Sequence, residues 1–459
     1  MMCGLRLQTA QRGPSIRLQR LQQPISWPRI AIVDSGIDLD HPDLSSKIVK
    51  IKDLVDSGDP DDEHGHGTHV AGIAAAVTDN SKGIAGVSWG SKIFVVRVFD
   101  SNNQGTGIRT ANGITEAANS GARIINISGG GASEKAAKCK AVSYAISKGA
   151  MVVASAGNNG NSTKSYPAAC AGAIAVGSTT NSDSRASYSN FGSWVDLAAP
   201  GTNVLSTVPV GGSCKFCNTT GYRKLSGTSM AAPMVAGAAA VVLSREPKLT
   251  NAEVETRLKR TAFKLPASLK LGAGRIDLFE AVFNGSFEEG NLALWKREGT
   301  ASSKTQLGPN ISPKAGDRMG SVSTGPEDAQ SAGTLYQTFT IQPGVTSFPI
   351  SFQYAFVTEE YPEWVGTPYD DSLKIKLITP SGSEELLTEE SVNTSSFTSI
   401  EGIDFPGGDE TVGWTGWKSI SKTISVTDGA GTYRIELEDT GDIIYDTETL
   451  IDDIKFKLN

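Results

Sequence analysis

Four residue types in this chain, each placed just beyond an apolar run or inside a glycine-rich word, could together break an acyl bond. Asp34 follows RIAIV in IAIVDSGID, Asn158 follows MVVASAG, and Ser229 stands in LSGTSMAAPMVAG ahead of an Ala-rich segment. His66 lies in EHGHGTHVAG, which holds three of the four histidines, His64, His66 and His69. A serine hydroxyl is a poor nucleophile until a histidine takes its proton, and that histidine needs a buried carboxylate to hold its tautomer. Asp34, His66 and Ser229 fill those three roles. The tetrahedral oxyanion then needs preorganised donors, which the Asn158 amide and the Ser229 backbone N–H can supply. A serine at a helix N-terminus also gains from the positive end of the dipole.

Taken alone, EHGHGTHVAG leaves three readings open. H-x-H-x-x-H supplies imidazoles at close spacing, so a metal site is one. Gly65 and Gly67 signal a turn running into the helix-like THVAGIAAAV, which suits a single working histidine at a helix start. Structural histidines are the third.

The elements that must carry these residues are legible in outline. A chain of 459 residues calls for two or three domains. Residues 284–459 hold 12 Lys+Arg against 28 Asp+Glu, whereas residues 1–283 hold 30 against 21, so two differently charged domains are expected. The acidic half argues against nucleic acid and for cation binding or solubility. Between residues 29 and 283, the apolar runs RIAIV, KIFVVRV, RIINI, MVVASA and AIAVGS alternate with helix-like segments, the pattern of a parallel sheet covered on both faces. Polar residues just past such strands, among them Asn126 and Ser128, fall where open parallel sheets bind ligands. Thr250-x-x-Glu253 forms a capping box opening TNAEVETRLKRTA. From Asn284 the texture becomes alternating strands with Gly, Pro, Ser and Thr turns, as in TLYQTFTIQPG, FPISFQYAF and GTYRIELED, which predicts an all-β sandwich. The apolar run Met230 to Leu243, broken by Pro233, is too short to cross a bilayer.

Five cysteines occur. Pairing Cys139 with Cys170 and Cys214 with Cys217 leaves Cys3, a pattern that suits an oxidising compartment. Cys214-x-x-Cys217 is also half of a zinc motif, but no second C-x-x-C completes it.

The order Asp…His…Ser with its flanking words resembles the subtilisin-like serine proteases. The matching words are IAIVDSGIDLDHPDL, GHGTHVAGI, RIINIS, ASAGN, SYPAAC, RASYSNFGSWVDLAAPG, GTSMAAP and GAGRIDLFEAV, spread over residues 29–283. The resemblance implies a seven-stranded parallel sheet flanked by helices, serine endopeptidase activity through Asp34, His66 and Ser229, and Asn158 as oxyanion donor. It makes His69 and His41 structural and puts His64 at the rim of the substrate cleft. It implies an extended peptide paired between Ser128–Gly131 and roughly Gly105–Gly107. Here Gly129 and Gly130 stand where the family usually has a leucine and a glycine, so a wider, less selective wall is expected. Ser165, before Tyr166-Pro167, should line the primary pocket, and with Asn159 in place of a frequent acidic neighbour, neutral or apolar P1 side chains are favoured. A structural calcium ion is implied, held by the Asp43 carboxylate, the Asn80 amide oxygen and the carbonyls of Val77, Lys82 and Ile84.

The tail resembles, more loosely, jelly-roll binding or anchor modules beside secreted bacterial enzymes. Glu288, Glu359, Glu360, Asp370, Asp371, Asp442, Asp446 and Asp452 are its calcium-ligand candidates, and Trp364, Trp414 and Trp417 are either sugar platforms or packing. The expected organisation is an N-terminal extension over 1–28, truncated or disordered, a peptidase domain over 29–283 and an acidic β-sandwich accessory domain over 284–459. Residues 1–28 carry four arginines and no acid but lack the apolar core of a signal peptide. A missing folding pro-segment is expected to make unassisted refolding poor. Partners are protein or peptide substrates, with cell-surface or glycan contact through 284–459, no nucleic acid, and a monomeric, secreted or cell-surface protein. The alternative from another class is an adhesion or carbohydrate-binding protein dominated by its accessory domain.

Overall fold

The computed structural model describes residues 27–456 apart from 56–60, 134, 284–286, 288–294, 315, 325–332, 342–343, 364, 368–369, 404, 406–410 and 441–446. The described chain divides into two compact units, with the boundary between Val282 and Phe283. Glu288, Trp364, Asp442 and Asp446, and the whole of 1–26, lie outside the described residues.

The first unit is built on one seven-stranded, all-parallel sheet. Its strands are β1 (Ile30–Asp34), β2 (Ile48–Asp53), β3 (Ile93–Arg97), β4 (Ile124–Ile127), β5 (Met151–Ser155), β6 (Ala173–Thr179) and β7 (Leu197–Pro200). They lie in the order β2-β3-β1-β4-β5-β6-β7, so β1 and β4 are adjacent at the centre. β1, β3, β4 and β5 are buried along their whole length, which is why they read as unbroken apolar runs.

The helices are α1 (His66–Ala75), α2 (Gly107–Asn119), α3 (Lys135–Ser147), α4 (Thr228–Arg245) and α5 (Asn251–Arg260), with a short α6 (Leu278–Phe283) after them. α1 is buried on every face, and so is α4 from Thr228 to Ser244, since these two pack on each other and on the sheet. α4 is long and apolar enough to span a membrane on composition, but it is the core helix of this unit. Pro233, the sixth residue of α4, offers no N–H to the Ser229 carbonyl, which instead accepts from Ser128 Oγ–H at 2.9 Å. α5 opens with the expected capping box: Thr250 Oγ1 accepts from the Glu253 N–H, and the Glu253 carboxylate accepts from the Thr250 N–H at 2.7 Å. Disulfides join Cys139 to Cys170 and Cys214 to Cys217, with Cα separations of 5.2 and 5.1 Å.

The second unit is antiparallel throughout. One sheet has five strands in the order β10 (Lys296–Glu298), β13 (Gly333–Ile341), β20 (Gly431–Thr440), β15 (Ser372–Ile378) and β16 (Glu384–Ser391). The other has seven: β11 (Thr300–Lys304), β12 (Met319–Ser323), β21 (Thr447–Phe456), β14 (Ser347–Thr358), β18 (Val412–Trp414) and β17 (Thr398–Ile400), with β19 (Lys418–Ser425) on β14. The sheets meet through aromatic side chains: Phe339 of β13 packs against Phe348 of β14 at 5.8 Å and Phe456 of β21 at 4.5 Å. Alternation along β15, buried at Leu373, Ile375 and Leu377, is the period-2 signal of a strand with one face inward.

Candidate active site

Asp34 ends β1, His66 opens α1, and Ser229 lies in the first turn of α4. All three are buried, Asp34 completely and the other two nearly so. The Asp34 carboxylate (Oδ1) accepts from His66 Nδ1–H at 2.7 Å and from the Ser35 N–H at 2.8 Å. Burial opposes a charge on His66, but the Asp34 charge and hydrogen bond outweigh it and raise the imidazole pKa above its ordinary value.

The serine is held by β4. Ser229 Oγ–H donates to the Ser128 carbonyl at 3.0 Å, and Ser128 Oγ–H donates back to the Ser229 carbonyl at 2.9 Å. Asn126, buried in β4, donates to Ser128 Oγ at 3.0 Å. The Ser229 hydroxyl is thus engaged by the Ser128 carbonyl. Asn158 stands on the loop after β5, and its Oδ1 accepts from the Thr228 N–H at 2.8 Å and the Thr228 hydroxyl at 2.9 Å. Asn158 is among the residues that line the cleft.

The three clustered histidines separate. His69 Nε2–H is shared between the Val204 and Arg223 carbonyls at 3.1 and 3.0 Å, and burial pushes its pKa down to about 3, so it is a neutral packing residue. His41 is likewise structural, donating from Nε2 to the Gly221 carbonyl and accepting the Asp43 N–H at Nδ1. His64 is buried at the cleft wall, its ring edge-on to Phe216 at 4.9 Å. The rings turn to different partners, so they do not form a shared ligand set.

Some supporting residues escaped the sequence reading. Asp62 takes Ser35 Oγ–H at 2.9 Å and Gly65 N–H at 2.8 Å on one oxygen, and the N–H and hydroxyl of Thr68 at 2.8 and 2.6 Å on the other. It therefore caps α1 from four residues upstream and fixes the turn that delivers His66. The available signal was an acidic residue just ahead of a helix start. Gly65, at φ 93°, takes the left-handed turn, and a Cβ there would come within 2.9 Å of Phe216 Cβ.

A cleft of about 730 Å³ joins His66, Ser229 and Asn158 to Ser128, Gly129, Gly130 and Ser165. Two expectations about its walls are corrected. The wall at Gly129 is not widened, because Phe99 fills the space: a Cβ at Gly129 would lie 2.7 Å from the Phe99 ring. The peptide-pairing edges are also shorter than expected. Gly131 is already bridged to Tyr166 by two 3.1 Å backbone hydrogen bonds, and Gly107 begins α2 behind its Thr106 cap. The free edges are Ser128–Gly130 and the neighbourhood of Gly105.

The residues expected around calcium do converge. Asp43, fully buried, accepts Asn80 Nδ2–H at 2.6 Å, the Ile84 N–H at 3.2 Å and the Tyr222 hydroxyl at 2.8 Å. Positive φ at Asp79, Ser81 and Gly83 curls the loop, and Val77 N–H donates to the Asp43 carbonyl. In the second unit, Asp452 accepts Lys314 N–H, Glu359 accepts Phe405 N–H, Glu360 accepts Asp371 N–H and Asp370 accepts Asn393 N–H. Among the described residues no group of three His, Cys, Asp or Glu side chains is arranged to hold a metal. Trp414 and Trp417 are half-buried against a core cluster, so they are packing residues, and Trp417 donates to the Ser312 carbonyl at 3.1 Å.

The profile of the Subtilase family matches residues 28–307. Thermitase of Thermoactinomyces vulgaris is 44% identical over 281 residues, 59% of this chain and 95% of its own. A thermophilic serine proteinase from a Bacillus species is 44% identical over 261 residues, 56% of this chain and 62% of its own. Among solved structures, a Pseudoalteromonas arctica protease superposes with a TM-score of 0.52 at 33% identity, covering 57% of this chain and 90% of that one. The chain belongs to the Subtilase family and is a serine-type endopeptidase.

Proposed function

We propose that the chain hydrolyses peptide bonds through Ser229 as nucleophile, His66 as general base and then acid, and Asp34 as the group holding the His66 tautomer. Ser229 Oγ, turned toward His66 Nε2, attacks the carbonyl of an extended peptide lying on Ser128–Gly130. The oxyanion that forms is met by Asn158 Nδ2–H and the Ser229 N–H. The proton taken by His66 passes to the leaving amine, and water repeats the cycle on the acyl-enzyme. The observation that carries this reading is the buried 2.7 Å pair of Asp34 with His66 on the same cleft as Ser229 and Asn158. Among the described residues no Asp or Glu lines that cleft, and Ser155, Gly157 and Ser165 are among its walls, which supports neutral or apolar P1 side chains. The peptidase domain is read as 29–283 and the acidic sandwich as an accessory domain over 284–459. Export fits the two disulfides.

An active-site phosphonate tests this directly. It should modify Ser229 stoichiometrically in the full chain, as read by peptide mass, and abolish hydrolysis; modification at another serine with activity intact would remove the assignment.

Calcium is proposed at Asp43. Asn80 would turn its amide oxygen inward, the carbonyls of Val77, Lys82 and Ile84 would complete a hard oxygen set, and the ion would replace the donors now engaging Asp43. Its contribution is rigidity in the loop, with no part in bond cleavage. An ion bound by the folded state alone stabilises it by about 2.7 kcal/mol at 100 times its Kd. Melting should therefore occur several degrees higher in calcium than in chelator, and the difference should shrink in Asp43→Asn. Equal melting temperatures for the unmodified chain would overturn the site.

A further inference from the structure

The loop that carries Asn158 leaves β5 after Ser155 and runs to Ser165 with no helix or strand of its own. A loop residue that serves as an oxyanion donor must have its backbone fixed from outside the loop, because no ladder fixes it from within. One support comes from α4. Thr228 donates to Asn158 Oδ1 through its N–H and its hydroxyl, and the Thr228 hydroxyl accepts the Gly157 N–H at 3.1 Å.

The other support comes from the segment between β6 and β7 and centres on Asn190, which is 2% exposed. Its backbone N–H donates to the Gly157 carbonyl at 2.9 Å. Its Oδ1 accepts the Asn159 N–H at 2.9 Å. Its Nδ2 donates to the Ala156 carbonyl at 3.0 Å and to the Thr163 carbonyl at 3.3 Å. The orientation of the amide follows from these partners, since an N–H faces its oxygen and two carbonyls face its nitrogen. One residue therefore holds positions 156, 157 and 159, and Asn158 lies between them.

Adjacent bonds continue the lacing: Gly160 N–H donates to the Tyr188 carbonyl at 2.7 Å, and Phe191 N–H donates to the Asn161 carbonyl at 3.0 Å. Gly157 shows how closely the two segments approach. It takes φ 102°, and a Cβ there would lie 2.7 Å from Asn190 Nδ2. The turn that leads into Asn158 is thus shaped around the Asn190 amide. An aspartate in that place would set a carboxylate against two carbonyls, and an alanine would leave the Asn159 N–H and both carbonyls without this partner.

The arrangement bears on the chemistry because an oxyanion donor works by preorganisation, aimed in advance at the place where charge develops. Among the described residues, Asn190 forms no hydrogen bond with Asp34, His66 or Ser229. Its route to the reaction runs through Asn158.

We propose that Asn190 is a positioning residue for peptide hydrolysis: it clamps the backbone on both sides of Asn158 and so sets the aim of the amide that meets the oxyanion. This rests on the proteolytic reading above and extends its machinery by one residue.

A double-mutant cycle in the full chain tests the clamp, with kcat and KM measured on one peptide and melting recorded for each protein. Asn158→Ala should lower kcat by about 10²–10³. Asn190→Ala should lower kcat by about 10- to 100-fold, the scale of a small misplacement, with KM changed by less than about threefold. In the Asn158→Ala background the same substitution should cost about twofold or less, because the donor it aims is already gone. A merely structural asparagine would carry its whole kinetic loss into that background. Asn190→Asp keeps the acceptor for Asn159 N–H and loses both donors, and it supplies the same cycle if the alanine protein does not fold. Unchanged kcat in the Asn190 variant, a loss confined to KM, or a loss that multiplies through in the Asn158→Ala background overturns the clamp and leaves the protease reading intact. Unchanged kcat in Asn158→Ala itself overturns the oxyanion assignment on which the clamp stands.

Discussion

Ser229→Ala is expected to lower kcat for peptide hydrolysis by about five to six orders of magnitude, a scale known from subtilisin itself rather than calculated from these distances. In the proposed mechanism the substitution removes the atom that forms the acyl-enzyme and leaves His66 no hydroxyl to deprotonate. What it leaves is informative. Asn158 and the Ser229 backbone N–H are untouched, so residual hydrolysis over water of about 10³–10⁴ should persist through the oxyanion donors and substrate positioning. Folding should be little affected, because the Ser229 hydroxyl donates a single hydrogen bond, to the Ser128 carbonyl, in a helix otherwise packed by alanine, valine and methionine. Progress curves at high enzyme concentration, with melting measured alongside, would check both parts. Turnover within tenfold of the unmodified chain would remove Ser229 from the mechanism.

The sheet was readable where burial made its strands continuous. β1, β3, β4, β5 and β6 appear as apolar runs because both their faces are covered. β2 did not, since Ile48–Asp53 is an edge strand whose IVKIKD alternates apolar with lysine and is mostly exposed. β7 escaped for another reason: LAAP is short and poor in β-branched residues, and it is a strand because it pairs with β6. In the second unit, period-2 alternation located β13, β14, β15, β20 and β21, whereas short strands such as β17 and β18 carry too few residues for a period to be seen.

The same split applies to the site. The candidates for donating, accepting and attacking could be named because their chemical types and flanking words are specific. The residues that position them were not, because their effect depends on contacts distant in sequence. Phe99 fills the space beside Gly129 from the end of β3, Tyr222 reaches Asp43 across 179 positions, and Phe216 covers His64 from the tip of the hairpin of β8 (Val204–Thr207) and β9 (Tyr222–Leu225). A two-glycine stretch read locally means room; here the room is occupied by a ring brought from another strand.

Asp34→Asn is the second large effect expected. Asp34 Oδ1 takes two donors, His66 Nδ1–H and Ser35 N–H, and the other oxygen is buried without a described partner. Asparagine keeps the shape and loses the charge, and either orientation of its amide is harmful. With its oxygen in the Oδ1 place, the imidazolium formed during attack has no counter-charge, and the amide N–H groups are buried unmatched. With its nitrogen there, His66 Nδ1 must accept, so Nε2 carries the proton and cannot take one from Ser229. A fall in kcat of about 10⁴ is expected, the scale seen when the same change is made in a related triad. The pH profile supplies a sign that a merely structural lesion would not. In the proposed mechanism His66 works as the neutral base, so activity rises as pH passes its pKa, which burial lowers and Asp34 more than restores, to above the ordinary histidine value. Without that carboxylate, burial and Lys215 act against the protonated ring, opposed by the more distant Asp62 charge. The acid limb of kcat/KM should therefore move to lower pH as the plateau drops. Turnover retained within tenfold, or an acid limb that moves upward, would show that Asp34 does not hold His66 in the role assigned to it.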